Sequence, residues 1–142
     1  MSAKCRKTPC SSCPYRKDVP SGVWGEEEYV KLEEYDRGTS DQPMATFMCH
    51  QPTEAGGTLC AGWVHTHGDD LLAIRLGTMM GTVDPSVFDV IDAGTDVELF
   101  ASGTEASEHG REEIEYPGEE ARALVAKIEK VREAIGWEDP RA

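Results

Sequence analysis

Long hydrophobic runs are absent from this sequence of 142 residues. No apolar stretch approaches the roughly 18 residues that a membrane-spanning helix needs, which disfavours a membrane protein. Basic residues are also scarce, because 14 Lys and Arg stand against 27 Asp and Glu and leave a net charge of −13. Nucleic acids are bound mainly through Lys and Arg, so we expect no direct nucleic-acid binding.

The N-terminus carries no secretory signal pattern. Lys4, Arg6 and Lys7 are basic, but no hydrophobic stretch follows them. We therefore expect a cytoplasmic protein, in which thiols stay reduced. In that compartment, five cysteines indicate a metal or redox site rather than a set of disulfides.

Aromatic residues are few, at 7% of the chain, and hydrophobic residues together amount to 39%. Such a composition supports one small hydrophobic core, which a metal would help to stabilise. We predict a small single α+β domain over residues 1–142. Its cysteine-rich half, 1–63, should be rich in loops, and its second half, 64–142, should be helical or mixed.

Hydrophobic periodicity and capping residues predict the elements of this domain. The predicted helices cover 26–35, 62–76, 84–94 and 118–135, and the predicted short strands cover 44–49 and 96–101. The last helix has the clearest pattern, because its apolar residues recur at helical spacing along one face. We expect that amphipathic face to lie on the core.

Four of the five cysteines have a spacing typical of a metal site. Cys10 and Cys13 form a Cys-x-x-Cys turn, which places two sulfurs on one side of a tight loop, and Cys49 and Cys60 follow from separate segments. Four thiolates suit both a structural Zn²⁺ and a [4Fe–4S] cluster. Cys5, among basic neighbours, is left outside this predicted site.

One local resemblance bears on the kind of metal. The segment CSSCPYR at 10–16, followed by GVWG at 22–25, resembles the WhiB-like regulators. The resemblance implies a [4Fe–4S] cluster that responds to redox agents, and binding to a sigma factor. That family has a further ligand soon after its Cys-x-x-Cys turn, whereas this chain has no cysteine between Cys13 and Cys49.

A broader resemblance spans most of the chain. The motifs PCSSCPYR, PSGVW, CHQ, CAGW and SGTEASEHG are similar to those of an uncharacterised family of actinobacterial and phage proteins. This resemblance implies a four-cysteine core and supplies no activity. Together, the two resemblances favour an iron–sulfur cluster over zinc.

Four residues close to the cysteines in sequence are predicted to surround the metal: Tyr15, Arg16, His50 and Trp63. The charge of Arg16 would neutralise part of the thiolate cage, and the two aromatic rings would exclude water. His50, or His65 and His67 beyond Cys60, could instead replace a cysteine in a mixed zinc site. Ordinary aromatic packing and buried thiols without a metal are the simpler alternatives.

The segment from Ser102 to Gly110 combines a hydroxyl, carboxylates and His109. A catalytic role would require the hydroxyl and the imidazole to meet in space. The pattern is better explained by a short helix that Ser102 or Thr104 caps and Gly110 ends.

These patterns lead to one functional expectation and two alternatives. We expect a metalloprotein that binds one [4Fe–4S] cluster through Cys10, Cys13, Cys49 and Cys60. It would act as a redox-responsive or regulatory protein through a protein partner. The first alternative is a structural zinc site in an interaction module whose acidic surface engages a basic partner. The second is a small metal-dependent enzyme.

Overall fold

The computed structural model describes residues 2–49 and 57–135, which are mostly helical. The helices are α1 (Glu26–Glu34), α2 (Ala61–His67), α3 (Leu72–Met80), α4 (Val87–Ala93), α5 (Gly103–Arg111) and α6 (Glu119–Ile135). Short 3₁₀ turns cover Thr39–Asp41 and Gly68–Asp70. None of the described helices is long and apolar enough to span a bilayer.

Three predicted helices are present close to the predicted bounds, as α1, α4 and α6. The prediction of one helix over 62–76 is wrong, because the chain forms α2 and α3 there. Gly68, with a φ of +63°, ends α2. Glycine adopts this backbone conformation without steric cost, so it interrupts an otherwise continuous hydrophobic pattern. The backbone N–H of Leu72 then donates to Oε1 of Gln42 at 2.9 Å, at the start of α3.

The predicted strands appear only as isolated bridges in the described residues. Met48 pairs with Leu59 in an antiparallel bridge, and Cys5 pairs with the other side of Leu59 in a parallel one. Arg16 likewise pairs with Leu99. Three short extended segments therefore meet at Leu59, without forming a regular sheet.

Helices α1 and α5 pack closely because α5 has glycine where the two helices meet. A Cβ at Gly103 would overlap the backbone of Leu32, and one at Gly110 would overlap the ring of Tyr29. The prediction that Gly110 ends this helix is wrong, because Gly110 lies inside α5. Its role is to let the two helices approach closely.

The first turn of α5 is held from two sides. Ser102 is its cap, as one of the two predicted choices, and its Oγ accepts from the backbone N–H of Glu105 at 3.1 Å. Asp36, two residues beyond α1, accepts from the backbone N–H groups of Gly103 and Thr104 at 2.8 and 2.7 Å. A carboxylate is stabilised there by the unpaired N–H groups and the helix dipole.

The hydrophobic core contains residues from both the cysteine-rich segments and the later helices. Its buried aromatic residues are Tyr15, Trp24, Tyr29, Tyr35, Phe47 and Trp63. Helix α6 contributes Ala121 and Ile128, which are buried as its amphipathic pattern predicts. The guanidinium of Arg132, also on α6, lies 5.4 Å from the ring centre of Trp24.

Candidate metal centre

The Cys-x-x-Cys segment forms a tight turn. The backbone N–H of Cys13 donates to the carbonyl of Cys10 at 3.0 Å, and that of Arg16 donates to the carbonyl of Cys13 at 3.0 Å. These two consecutive turns place the thiols of Cys10 and Cys13 in the core, where both are buried.

Cys49 and Cys60 lie on two extended segments whose backbones pair. The backbone N–H of Cys49 donates to the carbonyl of Thr58 at 2.7 Å. Met48 and Leu59 form the bridge between these segments. Side chains alternate along an extended chain, so Cys49 and Cys60 both point to the face opposite Met48 and Leu59. The bridge therefore brings two cysteines far apart in sequence to one face.

The four thiols are buried, free of disulfides and arranged as two pairs. In the inner pair, the Sγ atoms of Cys13 and Cys60 lie 3.7 Å apart. In the outer pair, Cys49 lies close enough to Cys10 for an interaction between the two thiols to raise the pKa of Cys10. The inner pair is the more deeply enclosed, since Cys13 is 0% and Cys60 2% exposed, against 7% for Cys10 and 4% for Cys49.

The two pairs are electrostatic neighbours. The contact with Cys60 lowers the pKa of Cys13, and charge on Cys49 opposes this effect; charge on Cys10 adds to the raised pKa of Cys60 that the contact with Cys13 and burial produce. Across residues 2–49 and 57–135, however, no group of three or more His, Cys, Asp or Glu side chains forms a ready-made metal site. The cysteines thus lie as two adjacent thiol pairs and not as a preformed cage of four sulfurs.

Hydrogen bonds between the thiols shift their pKa values in different directions. The contact with Cys60 lowers the pKa of Cys13, and the same contact raises the pKa of Cys60. The hydrogen bond to Cys49 raises the pKa of Cys10, and burial adds to this effect. Cys10 and Cys60 therefore favour the protonated form in the absence of a metal, and metal binding at these pairs would release protons.

Backbone N–H groups also donate hydrogen bonds to the sulfurs. The donors are Ser12 to Cys10, Tyr15 and Gly62 to Cys13, and Trp63 to Cys60. Each contact lowers the pKa of its cysteine because it stabilises the thiolate. The thiolate is the form that binds metals, so the local backbone favours ligation.

Gly62 allows the inner pair to form. A Cβ at this position would overlap the Sγ of Cys13 and lie 2.9 Å from the Cβ of Tyr15. Only glycine leaves room here for the Cys-x-x-Cys turn to approach the start of α2. The CAGW motif thus provides both Cys60 and the space that Cys13 occupies.

Arg6 makes a direct cationic contact with a cysteine of the outer pair. Arg6 Nη1 donates to the Sγ of Cys49 at 3.8 Å. The guanidinium of Arg16 instead pairs with Asp18 at 2.7 Å and donates to the Pro9 carbonyl at 3.1 Å. Arg16 interacts with the Cys-x-x-Cys sulfurs only through its charge.

Cys5 lies outside both thiol pairs. Because it pairs directly with Leu59, it shares the face of Leu59 and not that of Cys49 and Cys60. Its thiol donates to the carbonyl of Arg6 at 3.1 Å, and burial raises its pKa to about 12. The same alternation turns Arg6 toward the face of Cys49 and Cys60. This direction follows from the pairing of Cys5 with Leu59, so the sequence alone does not indicate it.

Tyr15 lies beside the inner pair. It is fully buried, and its pKa is raised first by burial and then by the charges of Cys60 and Cys13. Its hydroxyl forms a 2.8 Å hydrogen bond with Nε2 of His67. Tyr15 therefore joins the cysteine site to a partly buried polar neighbour.

Trp63 is also fully buried and packs edge-on against Tyr35, with ring centres 5.3 Å apart. Its indole Nε1 has no hydrogen-bond partner among the described residues. The indole of Trp63 therefore packs in the core, while the backbone N–H of Trp63 donates a hydrogen bond to the sulfur of Cys60. His50 lies outside the described residues.

The histidines proposed as replacement ligands have other contacts. Nε2 of His65 lies 2.9 Å from the carbonyl of Lys7, and Nε2 of His67 bonds to Tyr15. In the segment from Ser102 to Gly110, Nε2 of His109 lies 2.7 Å from the carbonyl of Val19. These contacts give each ring a local structural role.

Comparison with known proteins identifies a family. Residues 5–132 match DUF6283, a family of unknown function. The chain belongs to this family. The DUF6283 match covers both thiol pairs, α1 to α5 and most of α6. No curated protein and no solved structure matches the chain.

Proposed function

We propose that this DUF6283 protein is a metalloprotein in which Cys10, Cys13, Cys49 and Cys60 ligate one metal centre. The observation that carries the proposal is the convergence of four buried thiols, none of them in a disulfide, from three chain segments. Reduced thiols gain little from such clustering alone, whereas a bound metal would convert it into folding free energy. The two pairs would draw together around the centre.

The sulfur spacing favours a single tetrahedral ion such as Zn²⁺. With Zn–S bonds of about 2.3 Å, adjacent sulfurs of a tetrahedron lie about 3.8 Å apart. The inner pair has a separation of 3.7 Å. The inner pair thus already has the sulfur–sulfur distance that zinc requires. To complete the tetrahedron, the sulfurs of the outer pair would have to move toward the inner pair.

A [4Fe–4S] cluster, which the sequence favours, is the second candidate. The resemblance of residues 10–25 to the WhiB-like regulators supports it, as do the backbone donors to sulfur, which tune such clusters. In a cluster, each cysteine binds a different iron, so the inner pair would have to widen. This requirement places the cluster second.

We further propose that the metal stabilises an acidic interaction module. Helix α5 buries its glycine face against α1 and leaves Glu105 and Glu108 exposed, and Glu112, directly after the helix, is exposed as well. With a net charge of −13, the chain would attract a basic protein partner. Replacing these three glutamates with Gln should weaken such a partner's binding and reduce its dependence on salt. Unchanged binding and salt dependence would contradict this role.

Metal analysis of protein purified without oxygen tests the central proposal. One equivalent of zinc in colourless protein would support the single ion, whereas brown protein with four irons and four sulfides would support the cluster. Cys→Ser substitution at each of the four positions should lower the metal content, while Cys5→Ser should not. Absence of metal, or full metal content in both Cys13→Ser and Cys60→Ser, would overturn the proposal.

A further inference from the structure

The two sulfurs of the inner pair are close enough to form a disulfide after a small movement. The Sγ atoms of Cys13 and Cys60 lie 3.7 Å apart. A disulfide bond joins two sulfurs at about 2.05 Å, so these two atoms would have to approach each other by roughly 1.7 Å. Shared between two side chains, this is a movement of less than about 1 Å for each sulfur.

The backbone on both sides of the inner pair is held by hydrogen bonds. The N–H of Cys13 donates to the carbonyl of Cys10 at 3.0 Å, and the N–H of Cys60 donates to the carbonyl of Phe47 at 2.9 Å. Gly62 keeps the Cys-x-x-Cys turn close to the start of α2, because a Cβ there would overlap the Sγ of Cys13. Closure of the pair therefore falls to rotation of the two cysteine side chains.

The outer thiols have polar neighbours of another kind. Nη1 of Arg6 donates to the Sγ of Cys49 at 3.8 Å, and the Sγ of Cys10 lies 3.8 Å from the Oγ of Ser12. A guanidinium or a hydroxyl beside a sulfur stabilises a thiolate, but it does not supply the second sulfur that a disulfide needs. The direct contact between sulfurs in the inner pair therefore favours that pair for disulfide formation.

Burial decides which oxidants reach the inner pair. Cys13 is 0% and Cys60 2% exposed. A bulky oxidant such as oxidised glutathione would have to bring its own disulfide against a protein sulfur, which this enclosure prevents. Hydrogen peroxide is little larger than water and transfers one oxygen atom to a thiolate, which gives a sulfenic acid. The second sulfur is then close enough to condense with that acid before further oxidation.

We infer that Cys13 and Cys60 form a peroxide-sensitive dithiol, whose oxidation to a disulfide releases the bound metal. This inference rests on the proposed metal centre and adds its regulation. The O–O bond of hydrogen peroxide breaks as one oxygen joins the first sulfur, and the other leaves as water. Attack by the second sulfur forms the S–S bond and expels the second water. The two sulfurs thus lose two electrons to one peroxide, and the two protons come from the thiols or, for metal-bound thiolates, from solvent.

Oxidation would replace one cross-link with another. The metal would join the Cys-x-x-Cys turn to the start of α2, and a disulfide between Cys13 and Cys60 would join the same two segments. Cys10 and Cys49 would remain, which is two ligands fewer than a structural zinc site has. We therefore expect the metal to leave while the helices stay folded.

Zinc release from the full chain tests this inference. The chain, with Cys5→Ser to remove the fifth thiol, would be loaded with Zn²⁺ and treated with hydrogen peroxide or with oxidised glutathione at the same concentration. Peroxide should release one Zn²⁺ per disulfide, roughly tenfold faster than oxidised glutathione does. Circular dichroism should show unchanged helix content, and peptide mapping should show Cys13 joined to Cys60. Dithiothreitol followed by Zn²⁺ should restore the loaded protein.

Two double variants test the pairing in the absence of metal. Cys10→Ser/Cys49→Ser retains only the inner pair of the four thiols. The matched control, Cys13→Ser/Cys60→Ser, retains only the outer pair. With Cys5→Ser in both, peroxide should form the intramolecular disulfide roughly tenfold faster in the first variant than in the control. Should either variant not fold, the disulfide mapped in the zinc-loaded chain still decides the pairing.

The results that would overturn the inference differ from those that would overturn the metal centre. A disulfide that joins Cys10 to Cys13 or to Cys49, with Cys60 still a thiol, would contradict the inference and leave the metal centre standing. Release of zinc by oxidised glutathione as fast as by peroxide would contradict the peroxide selectivity. If the reduced chain binds no zinc before any oxidant is added, the single-ion centre is wrong and the inference fails with it.

Discussion

The inner and outer thiol pairs are similar in chemistry but differ in what surrounds them. Cys13 and Cys60 are enclosed by backbone donors, the Tyr15 ring and the start of α2. Cys10 and Cys49 are slightly more exposed, and the guanidinium of Arg6 donates a hydrogen bond to the sulfur of Cys49. One pair is thus shaped mainly by packing and the other by charge.

This difference indicates separate roles in assembling one site. Packing fixes distances, because side chains in a close-packed core have little room to shift. A partly exposed charge fixes distances less well, but it stabilises thiolates where solvent can reach. We expect the inner pair to set the geometry of the metal centre and the outer pair to control how readily metal enters and leaves.

The largest expected effect comes from breaking the inner pair with Gly62→Ala. The new Cβ would overlap the Sγ of Cys13, so we expect loss of metal and destabilisation by about 1–3 kcal/mol. Metal analysis and urea denaturation measure the two effects. Gly38→Ala is the control, because a Cβ there meets nothing within 4 Å. If Gly62→Ala and Gly38→Ala had the same metal content and the same stability, the inner pair would not set the geometry of the metal centre.

Arg6→Gln tests the outer pair. Loss of the charge beside Cys49 should leave the fold intact and speed metal release to a chelator by roughly threefold to tenfold. Arg16→Gln should have a smaller effect, because Arg16 is paired with Asp18. A larger effect of Arg16→Gln would show that charge reaches the sulfurs by another route.

Asp36 accepts hydrogen bonds from the first turn of α5. Asp36→Ala should therefore lower the free energy of unfolding by about 1–2 kcal/mol at neutral pH. Burial opposes ionisation of Asp36, but hydrogen bonds from Thr104 and Gly103 outweigh it and lower its pKa. A carboxyl with a lowered pKa stabilises the fold above about pH 4, and this contribution is lost as pH falls further.

The stability difference between Asp36→Ala and the unaltered chain should therefore narrow in acid. Urea denaturation at pH 7 and near pH 3 measures it. A difference that stays constant or grows in acid would show that the carboxylate charge is not what holds the first turn of α5.

Cys5→Ser should have the smallest effect. Cys5 shares the face of Leu59, and its pKa of about 12, raised by burial and by the charge of Cys49, keeps it a thiol at neutral pH. Metal content and release rate should match those of the unaltered chain. A slower or incomplete loading of metal would instead assign Cys5 to the outer pair.

Sequence patterns predicted the helices whose caps and periodicity agree. Helix α6 follows its apolar stripe, and α5 begins directly after Ser102, which caps it as its capping pattern indicates. They did not predict the break at Gly68, because the hydrophobic residues on either side continue a helical pattern. A single glycine in the left-handed conformation decided that region.

The sequence predicted the parts of the candidate site whose chemistry depends on the residue type, namely the cysteines. Cysteine spacing singled out the four thiols, but their division into two pairs depends on the bridge between Met48 and Leu59. Arg6 was missed because its direction follows from a different long-range pairing, that of Cys5 with Leu59. The glycines at 62 and 103 carry no chemistry of their own, and their importance appears only from the atoms they approach.

X-ray absorption at the edge of the bound metal tests the central claim most directly. For a single ion held by both pairs, we predict four sulfur neighbours at about 2.3 Å and no nearby second metal. A short metal–metal distance would replace the single ion with a cluster. Nitrogen or oxygen neighbours in place of sulfur would contradict ligation by the two thiol pairs.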